Sequence, residues 1–320
     1  MADALYGPDG FFLRSRPADH FRTSVASPLF APAVRRLAGL VDDALGQPDP
    51  FDLVDLGAGR GELLSALPDV PARWRLTGVD LAPAGTDRGR ADADRGRAGM
   101  DRGRAGVDRD SPRPPYAWRS AVPPLTGLLI ANEWLDNVPL DVVSGGRLVL
   151  VSPAGVEAPG ARSPYAAWCA RWWPGAERAE VGLSRDLAWS AAVAQVQRGL
   201  AVAIDYGHVI QARRPTLTGY RHGRQMPPVP DGSCDLTAHV ALDSCAAVTR
   251  SRLVRQRDAL KMLGISAKLP TWDGAAGQYA QALAASSQGL ELLDPHGLGG
   301  FGWLVRAVGI DDPLAACPPW

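Results

Sequence analysis

Short apolar runs that end in polar or acidic residues recur along the chain, and we interpret each as a buried strand. These runs cover residues 51–56, 74–79, 125–131 and 199–204. Each has the length and the turn-forming or charged flanks that are typical of strands buried on both faces. Apolar residues at helical spacing, or a serine cap, predict helices over residues 31–45, 184–197 and 248–263, with Gly264 after the last.

Two further patterns complete the predicted elements. A hairpin is expected between residues 140–143 and 147–151 across the Ser144-Gly145-Gly146 turn. A last strand is expected at residues 300–308. Because strands alternate with helices, the sequence predicts an α/β fold with a doubly wound, mostly parallel sheet.

The chain divides by composition into three expected regions. Residues 1–50 should form a helical cap, residues 51–150 a Rossmann-like core, and residues 151–320 an accessory or substrate region together with returning strands. The core contains a low-complexity insert at residues 86–110, in which the word Asp-Arg-Gly-Arg-Ala starts at 87, 94 and 101. Since such a repeat cannot bury apolar area, we predict that the insert is disordered.

Charge and composition exclude several classes of function. The chain has 320 residues, of which 34 are basic and 34 acidic, so it carries no electrostatic footprint for nucleic acid. No run of eighteen apolar residues exists, so we expect no membrane span. Four cysteines without a C-x-x-C pair, and no secretory signal, favour a cytoplasmic protein with free thiols. Oligomeric state stays open.

The first predicted strand leads into the pattern Asp55-x-Gly57-x-Gly59-x-Gly61. Glycines allow positive φ and a close approach of a ligand to the backbone, here at a predicted helix start with unpaired N–H groups. Dinucleotide dehydrogenases use G-x-G-x-x-G, whereas this spacing is a signature of S-adenosylmethionine (SAM) methyltransferases. Asp80 ends the second strand, where a carboxylate can bind both ribose hydroxyls. Asp55 could order the turn, bind the SAM amino group, or simply cap a helix.

A second polar cluster follows the third strand, with Asn132, Glu133 and Asp136. On a helical first turn the two carboxylates would share a face, and together they could hold a guanidinium through bidentate hydrogen bonds. The alternative is a capped helix start with solvated acids. Trp134 could face the sulfonium as a cation–π partner, but core packing is the stronger interpretation.

Two more candidates lie further along the chain. Asp205 ends the fourth strand in Asp205-Tyr206-Gly207, which could equally be an ordinary strand-end turn. His239 could relay a proton or orient Asp205, although a lone histidine is more often structural. The histidines show no metal-ligand spacing, and methyl transfer from SAM needs no metal, so we expect none.

Taken in order, several motifs resemble the MidA family of SAM-dependent methyltransferases. They are Phe21-Arg22-Thr23-Ser24, the Asp55–Gly61 pattern, Asn132-Glu133-x-x-Asp136-x-x-Pro139, Ile204-Asp205-Tyr206-Gly207, Thr216-Leu217-Thr218-Gly219-Tyr220-Arg221, Cys234-Asp235-Leu236-Thr237-Ala238-His239-Val240 and residues 256–265. The family includes a mitochondrial complex I assembly factor that methylates a protein arginine.

The resemblance implies a Rossmann-like class I methyltransferase fold, SAM as cofactor and a protein substrate, with arginine favoured. Implied cofactor-binding residues are Asp55, Gly57, Gly59, Gly61, Asp80 and Asn132. Implied catalytic residues are Glu133, Asp136, Asp205 and His239. The sequence departs from the family at the 86–110 repeat, which replaces a helix. Two rival functions stay open, a non-catalytic assembly or chaperone protein that keeps a SAM pocket and an NAD(P)-dependent oxidoreductase.

Overall fold

A computed structural model of the chain describes residues 1–14, 23–80, 116–272 and 276–320. The predicted 86–110 insert and the Phe21-Arg22 part of the first motif lie outside these residues. The described helices are α1 (Ala2–Tyr6), α2 (Phe11–Arg14), α3 (Phe30–Ala44), α4 (Glu62–Ser65), α5 (Ala166–Trp172), α6 (Leu183–Val193), α7 (Leu242–Thr249), α8 (Gln256–Met262) and α9 (Ala276–Leu293).

The strands are numbered in chain order. They are β1 (Phe51–Leu56), β2 (Trp74–Val79), β3 (Ala117–Arg119), β4 (Leu125–Asn132), β5 (Asp141–Ser144), β6 (Arg147–Val151), β7 (Glu157–Arg162), β8 (Arg178–Val181), β9 (Val196–Asp205), β10 (Gly207–His208), β11 (Thr218–Arg221), β12 (Arg224–Met226), β13 (Asp235–Thr237), β14 (Val240–Ala241), β15 (Arg252–Arg255) and β16 (Gly302–Val308).

A seven-stranded sheet forms the centre of the fold, with strand order β15-β16-β9-β4-β1-β2-β3. Neighbouring strands from β9 to β3 pair in parallel, and β16 lies antiparallel between β9 and β15. The predicted α/β fold with a mostly parallel sheet is therefore confirmed. Smaller sheets with the orders β7-β6-β5-β8, β12-β11-β13 and β10-β14 are added around residues 141–241.

Both faces of the central sheet are covered. Phe51 and Leu53 point to the core that contains α3 and part of α8, whereas Val54 and Leu56 point to the core that contains parts of α6 and α7. All six residues of β1 are buried, including Asp52 and Asp55, as expected of a parallel strand that is covered on both faces. The carboxyl ends of β1, β2, β4 and β9 consequently meet at one edge of the sheet.

Most predicted strands lie where expected, but one predicted helix was wrong. Residues 248–263 do not form a single helix, because α7 ends at Thr249, β15 follows, and α8 begins at Gln256. Arg250 takes the left-handed φ of +54° that ends α7, and β15 then pairs with β16. The predicted helix over residues 184–197 is also shorter, since β9 already begins at Val196.

Two simpler expectations have a structural counterpart. The predicted hairpin is present as β5 and β6, which pair antiparallel across Gly145 and Gly146. Cys169, Cys234, Cys245 and Cys317 are all free thiols. Within the described residues, no helix has the length and apolar character needed to cross a membrane.

Candidate functional site

The glycine loop after β1 lies beside the end of β2. Asp80 accepts a hydrogen bond at Oδ2 from the Gly59 amide over 2.9 Å. Gly57, Gly59 and Gly61 all have positive φ, of 77°, 58° and 86°. Other residues adopt such angles only with strain, so this loop conformation requires the three glycines. The acid after β2 and the loop after β1 thus form one continuous polar rim.

Two aromatic side chains pack directly against this loop. A Cβ on Gly57 would lie 2.7 Å from the indole of Trp134, and one on Gly61 would overlap the hydroxyl of Tyr116. For a Cβ on Gly59 the nearest atom would be a carboxylate oxygen of Glu62, at 3.1 Å. The close approach at the outer two glycines is therefore to the protein's own aromatic rings, and Gly59 is the most open of the three.

The amides of the loop differ from the unpaired N–H groups that the sequence predicted. Gly57 and Ala58 donate to the Val79 carbonyl, and Gly61 donates to the Ala58 carbonyl. The amides of Gly59 and Arg60 donate to the side chains of Asp80 and Glu62. Within α4 the Ser65 amide donates to the Gly61 carbonyl, one helical turn back. Only the Gly59 and Arg60 amides have side-chain partners, which a bound ligand could replace without breaking the turn.

Asp55 is buried inside β1 and does not cap a helix. The N-cap of α4 is Gly61, so the capping alternative for Asp55 was wrong. Burial, and then the negative charges of Glu62 and Asp80, raise the pKa of Asp55 to about 7. A carboxyl group with such a pKa is only partly ionised at neutral pH, and the approach of a positively charged group would favour its ionised form.

The segment after β4 is a turn and not the helical start that would place Glu133 and Asp136 on one helix face. Glu133 takes a left-handed φ of +52°. Asp205 at the end of β9 then accepts hydrogen bonds at Oδ2 from the amides of Leu135 and Asp136, over 2.9 and 3.2 Å. One carboxylate oxygen of Asp205 therefore fixes the turn at residues 133–138, so Asp205 holds Asp136 in position.

Glu133 joins this turn to the amino-terminal segment. Its Oε1 accepts hydrogen bonds from the Ser24 amide over 2.9 Å and from Asn132 Nδ2 over 3.0 Å. Burial is the main cause that raises the pKa of Glu133 to about 7. Ser24 in turn accepts a hydrogen bond from Gln256, which also accepts one from Trp303. Glu133 is thus the end of a buried network across the sheet edge.

Asn132 contributes an unsatisfied group to the same edge. Its Oδ1 is buried and has no hydrogen-bond partner among the described residues. Buried acceptors without a partner are uncommon, and they mark sites where a ligand or water completes the arrangement.

Asp136 lies at the centre of a buried polar cluster. Its Oδ2 accepts hydrogen bonds from the Tyr206 hydroxyl over 2.5 Å and from the Thr237 hydroxyl over 3.2 Å. Asn137 Nδ2 donates to Oδ1 over 2.9 Å. Burial, which outweighs these hydrogen bonds and the charge of Arg185, raises the pKa of Asp136. The same cause raises the pKa of Asp205 well above its ordinary value.

Two residues that the sequence analysis did not single out complete the cluster. Asp235 in β13 is fully buried, and neither carboxylate oxygen has a partner among the described residues. Burial and the nearby Asp136 raise the pKa of Asp235 to about 7. Arg185 is also buried, and its guanidinium donates to the carbonyls of Asp136, Val138, Ala238 and His239.

The signals for these two residues in the sequence are unequal. Asp235 stands in the Cys234–Val240 motif, two positions before Thr237, so its position on the same face of β13 could have been inferred. Arg185 lies in the first turn of α6 and has the sequence pattern of an ordinary exposed helix residue. Nothing local in the sequence shows that it is buried.

His239 lies beside the cluster but its ring contacts Tyr206 and His208. The centroid of the His239 ring lies 5.5 Å from that of the Tyr206 ring and 5.9 Å from that of the His208 ring. Burial, and then the charges of Arg214 and Arg185, lower the pKa of His239. The imidazole is therefore neutral at physiological pH, where it can both donate and accept a proton.

A family model matches residues 41–257, which is more than half of the chain. The description of that family is "Putative S-adenosyl-L-methionine-dependent methyltransferase". The chain belongs to this family. Its cofactor is therefore SAM, as the glycine spacing and Asp80 predicted. No curated protein sequence matches the chain significantly.

Two crystal structures from Burkholderia thailandensis share the fold. One is a superfamily member described as a "likely methyl transferase" and was crystallised with bound S-adenosyl-homocysteine. Its sequence is 24% identical, the match covers 99% of this chain and 89% of that chain, and the TM-score is 0.72. The other is a native structure of an uncharacterized protein of that superfamily, with 24% identity, 99% and 88% coverage and a TM-score of 0.72. At this identity the likeness shows the fold alone.

Proposed function

We propose that this protein transfers a methyl group from SAM to a nitrogen of a protein side chain, with arginine as the favoured acceptor. The observation that carries the proposal is the turn at residues 133–138, which packs Trp134 on Gly57 and buries Asp136 beside Asp205 and Asp235. The motifs that resemble the MidA family support the same function. We also propose a cytoplasmic location, which fits the four free cysteine thiols and the same motifs.

The residues at the sheet edge fit the cofactor. Asp80 offers a carboxylate for the ribose hydroxyls, and Gly59 offers an amide whose present partner is a side chain. Buried Asp55 and the unpaired Oδ1 of Asn132 suit a positively charged amino group. Gly57 and Gly61 maintain the loop conformation against Trp134 and Tyr116. These six residues are the proposed SAM-binding set.

The acid cluster favours a cationic acceptor. Asp136, Asp205 and Asp235 are each at most 1% exposed, and the charge of Asp136 raises the pKa of both other carboxyl groups. Carboxyl groups in this arrangement ionise less readily than exposed ones, and a bound cation would compensate the cost of burying their charge. A guanidinium would supply that compensation and would satisfy the unpaired oxygens of Asp205 and Asp235.

Asp136 is the proposed proton acceptor. When bound, SAM supplies a methyl group on a positively charged sulfur, and an acceptor nitrogen must lose a proton as it is methylated. Burial raises the pKa of Asp136, which makes its carboxylate a stronger proton acceptor than an exposed aspartate. Glu133, with a pKa of about 7, supports the turn from the other side, and Asp205 positions it. His239 contacts Tyr206, so its proposed role is to orient that hydroxyl towards Asp136.

Labelling with tritiated SAM tests the proposal. The purified protein is incubated with a lysate that lacks it, and the labelled proteins are identified by mass spectrometry. Hydrolysis of these proteins to amino acids then identifies the residue type that carries the tritium. We expect tritium in methylarginine of a discrete protein. We also expect Asp136→Asn to lower the rate by at least about a hundredfold, which is the typical contribution of a positioned base.

S-adenosylhomocysteine affinity separates this function from its rivals. Asp136→Asn should bind S-adenosylhomocysteine as wild type does, because Asp136 is not in the proposed cofactor set. Binding without any labelled protein would favour the non-catalytic assembly protein. Label on another residue type would contradict arginine but not methyl transfer.

A further inference from the structure

A cavity of about 170 Å³ lies beside His239, whose ring contacts Tyr206. Its walls include His208, Arg214, Thr216, His239 and Trp320. The volume exceeds the roughly 30 Å³ that one water occupies in the liquid, so the cavity can take a small polar group. None of the proposed cofactor-binding residues is in this wall.

His208 lines this cavity and has an unused hydrogen-bonding atom. The side chain is 6% exposed, and its Nδ1 is buried without a hydrogen-bond partner among the described residues. Burial above all, and then cationic neighbours headed by Arg213, lower the pKa of His208 to about 3. His208 is thus a neutral imidazole that needs a partner and cannot supply a charge of its own.

The fixed charge of the cavity is positive. Arg213 forms an ion pair with Asp243 and stacks over Trp173, so its charge is compensated. Arg214 is exposed in the cavity wall, and no carboxylate among the described residues pairs with it. One uncompensated guanidinium beside two neutral imidazoles matches a group with a single negative charge.

We propose that this cavity binds a carboxylate group of the methyl acceptor. Arg214 supplies the charge, and the imidazoles of His208 and His239 supply hydrogen bonds. The carboxylate would lie one side chain away from Asp136, because His239 contacts Tyr206 and Tyr206 donates to Asp136. The acceptor would then carry a cationic group and a carboxylate close together. That assignment to the acceptor depends on the proposed function, whereas the binding of a carboxylate does not.

Histidine resonances provide the test. The protein, with its five histidines ¹⁵N-labelled, is titrated at a fixed pH of about 7.5, where neutral imidazoles report hydrogen bonding and not protonation. N-acetylglutamic acid α-amide presents a side-chain carboxylate, N-acetylalanine presents a chain-terminal one, and N-acetylglutamine α-amide is the uncharged control. His222 and His296, which do not line the cavity, serve as internal references.

We expect saturable shifts of His208 and His239 with at least one carboxylate and none with the amide. The carboxylate that binds more tightly identifies the source, a side chain or a chain end. Arg214→Gln, an exposed change that should leave the fold intact, should weaken binding by about tenfold or more, since a charge-assisted hydrogen bond is lost. Arg162→Gln, at an exposed arginine of β7, is the matched control and should change nothing.

Equal shifts with the acid and the amide would overturn the proposal, as would unchanged affinity in Arg214→Gln or the absence of saturation. None of these readouts needs SAM or methyl transfer. A negative titration with active methyl transfer would reject the carboxylate site alone. A positive titration without methyl transfer would reject the proposed function alone.

Discussion

Replacing Asp80 by asparagine removes a charge from the rim of the proposed cofactor site and keeps its shape. The asparagine oxygen can still accept the hydrogen bond that Gly59 donates to Asp80 Oδ2 over 2.9 Å. The glycine loop should therefore keep its conformation. What the variant loses is the ability of a charged oxygen to accept strong hydrogen bonds from the ribose hydroxyls.

The size of the effect follows from the difference between charged and neutral hydrogen bonds. A hydrogen bond to a charged group contributes about 1.5–3 kcal/mol net, and a neutral one about 0.5–1.5 kcal/mol. Losing the charge at one ribose contact should therefore cost about 1–2 kcal/mol, which is roughly a 5- to 30-fold weaker dissociation constant.

Calorimetric titration with S-adenosylhomocysteine measures this directly. Asp311→Asn, at an exposed aspartate outside the site, is the matched control and should bind as wild type does. Thermal unfolding of both variants checks that the fold is kept. Wild-type affinity in Asp80→Asn would refute the reasoning, as would an equal loss in both variants.

Three further predictions concern stability, each measured by urea unfolding. The free energy of unfolding of Glu133→Gln should rise relative to that of wild type by up to about 3 kcal/mol as the pH increases from about 4.5 to 7, because the raised pKa of Glu133 makes wild type lose stability as the carboxyl group ionises. A difference that stays constant with pH would contradict this. Gly127→Ala should lower the free energy of unfolding by more than about 4 kcal/mol, since its Cβ would overlap the Asp52 carbonyl. Gly145→Ala, at an open turn, should lower it by about 1 kcal/mol, and similar losses in the two variants would refute the clash. Arg185→Met should cost about 3 kcal/mol or more by leaving buried carbonyls unpaired; a near-neutral effect would show that water replaces the guanidinium.

Local signals in the sequence were enough to predict the first half of the central sheet. β1 matched its predicted bounds because a short, mainly apolar segment between a proline and a glycine turn has few alternatives. The proximity of Asp80 to Gly59 follows from the parallel pairing of β1 with β2, whose ends lie at the same edge. These features depend on short stretches of chain.

The features that sequence reasoning missed depend on distant contacts. β15 is a strand because β16, about fifty residues later, pairs with it, whereas its residues 252–255 also fit a helical pattern. The turn after β4 is shaped by Asp205 and by Ser24, whose amide bonds to a side chain 109 positions away. No local pattern encodes such partners, and the burial of Arg185 has the same origin.

The most direct test of the central claim is a crystal structure of this protein with S-adenosylhomocysteine. The account predicts that the ribose hydroxyls lie about 2.5–3.0 Å from the Asp80 carboxylate, within hydrogen-bond range, and that the nucleoside follows the glycine loop. A nucleoside bound elsewhere, with Asp80 still accepting the hydrogen bond from the Gly59 amide and out of reach of the ribose, would contradict it.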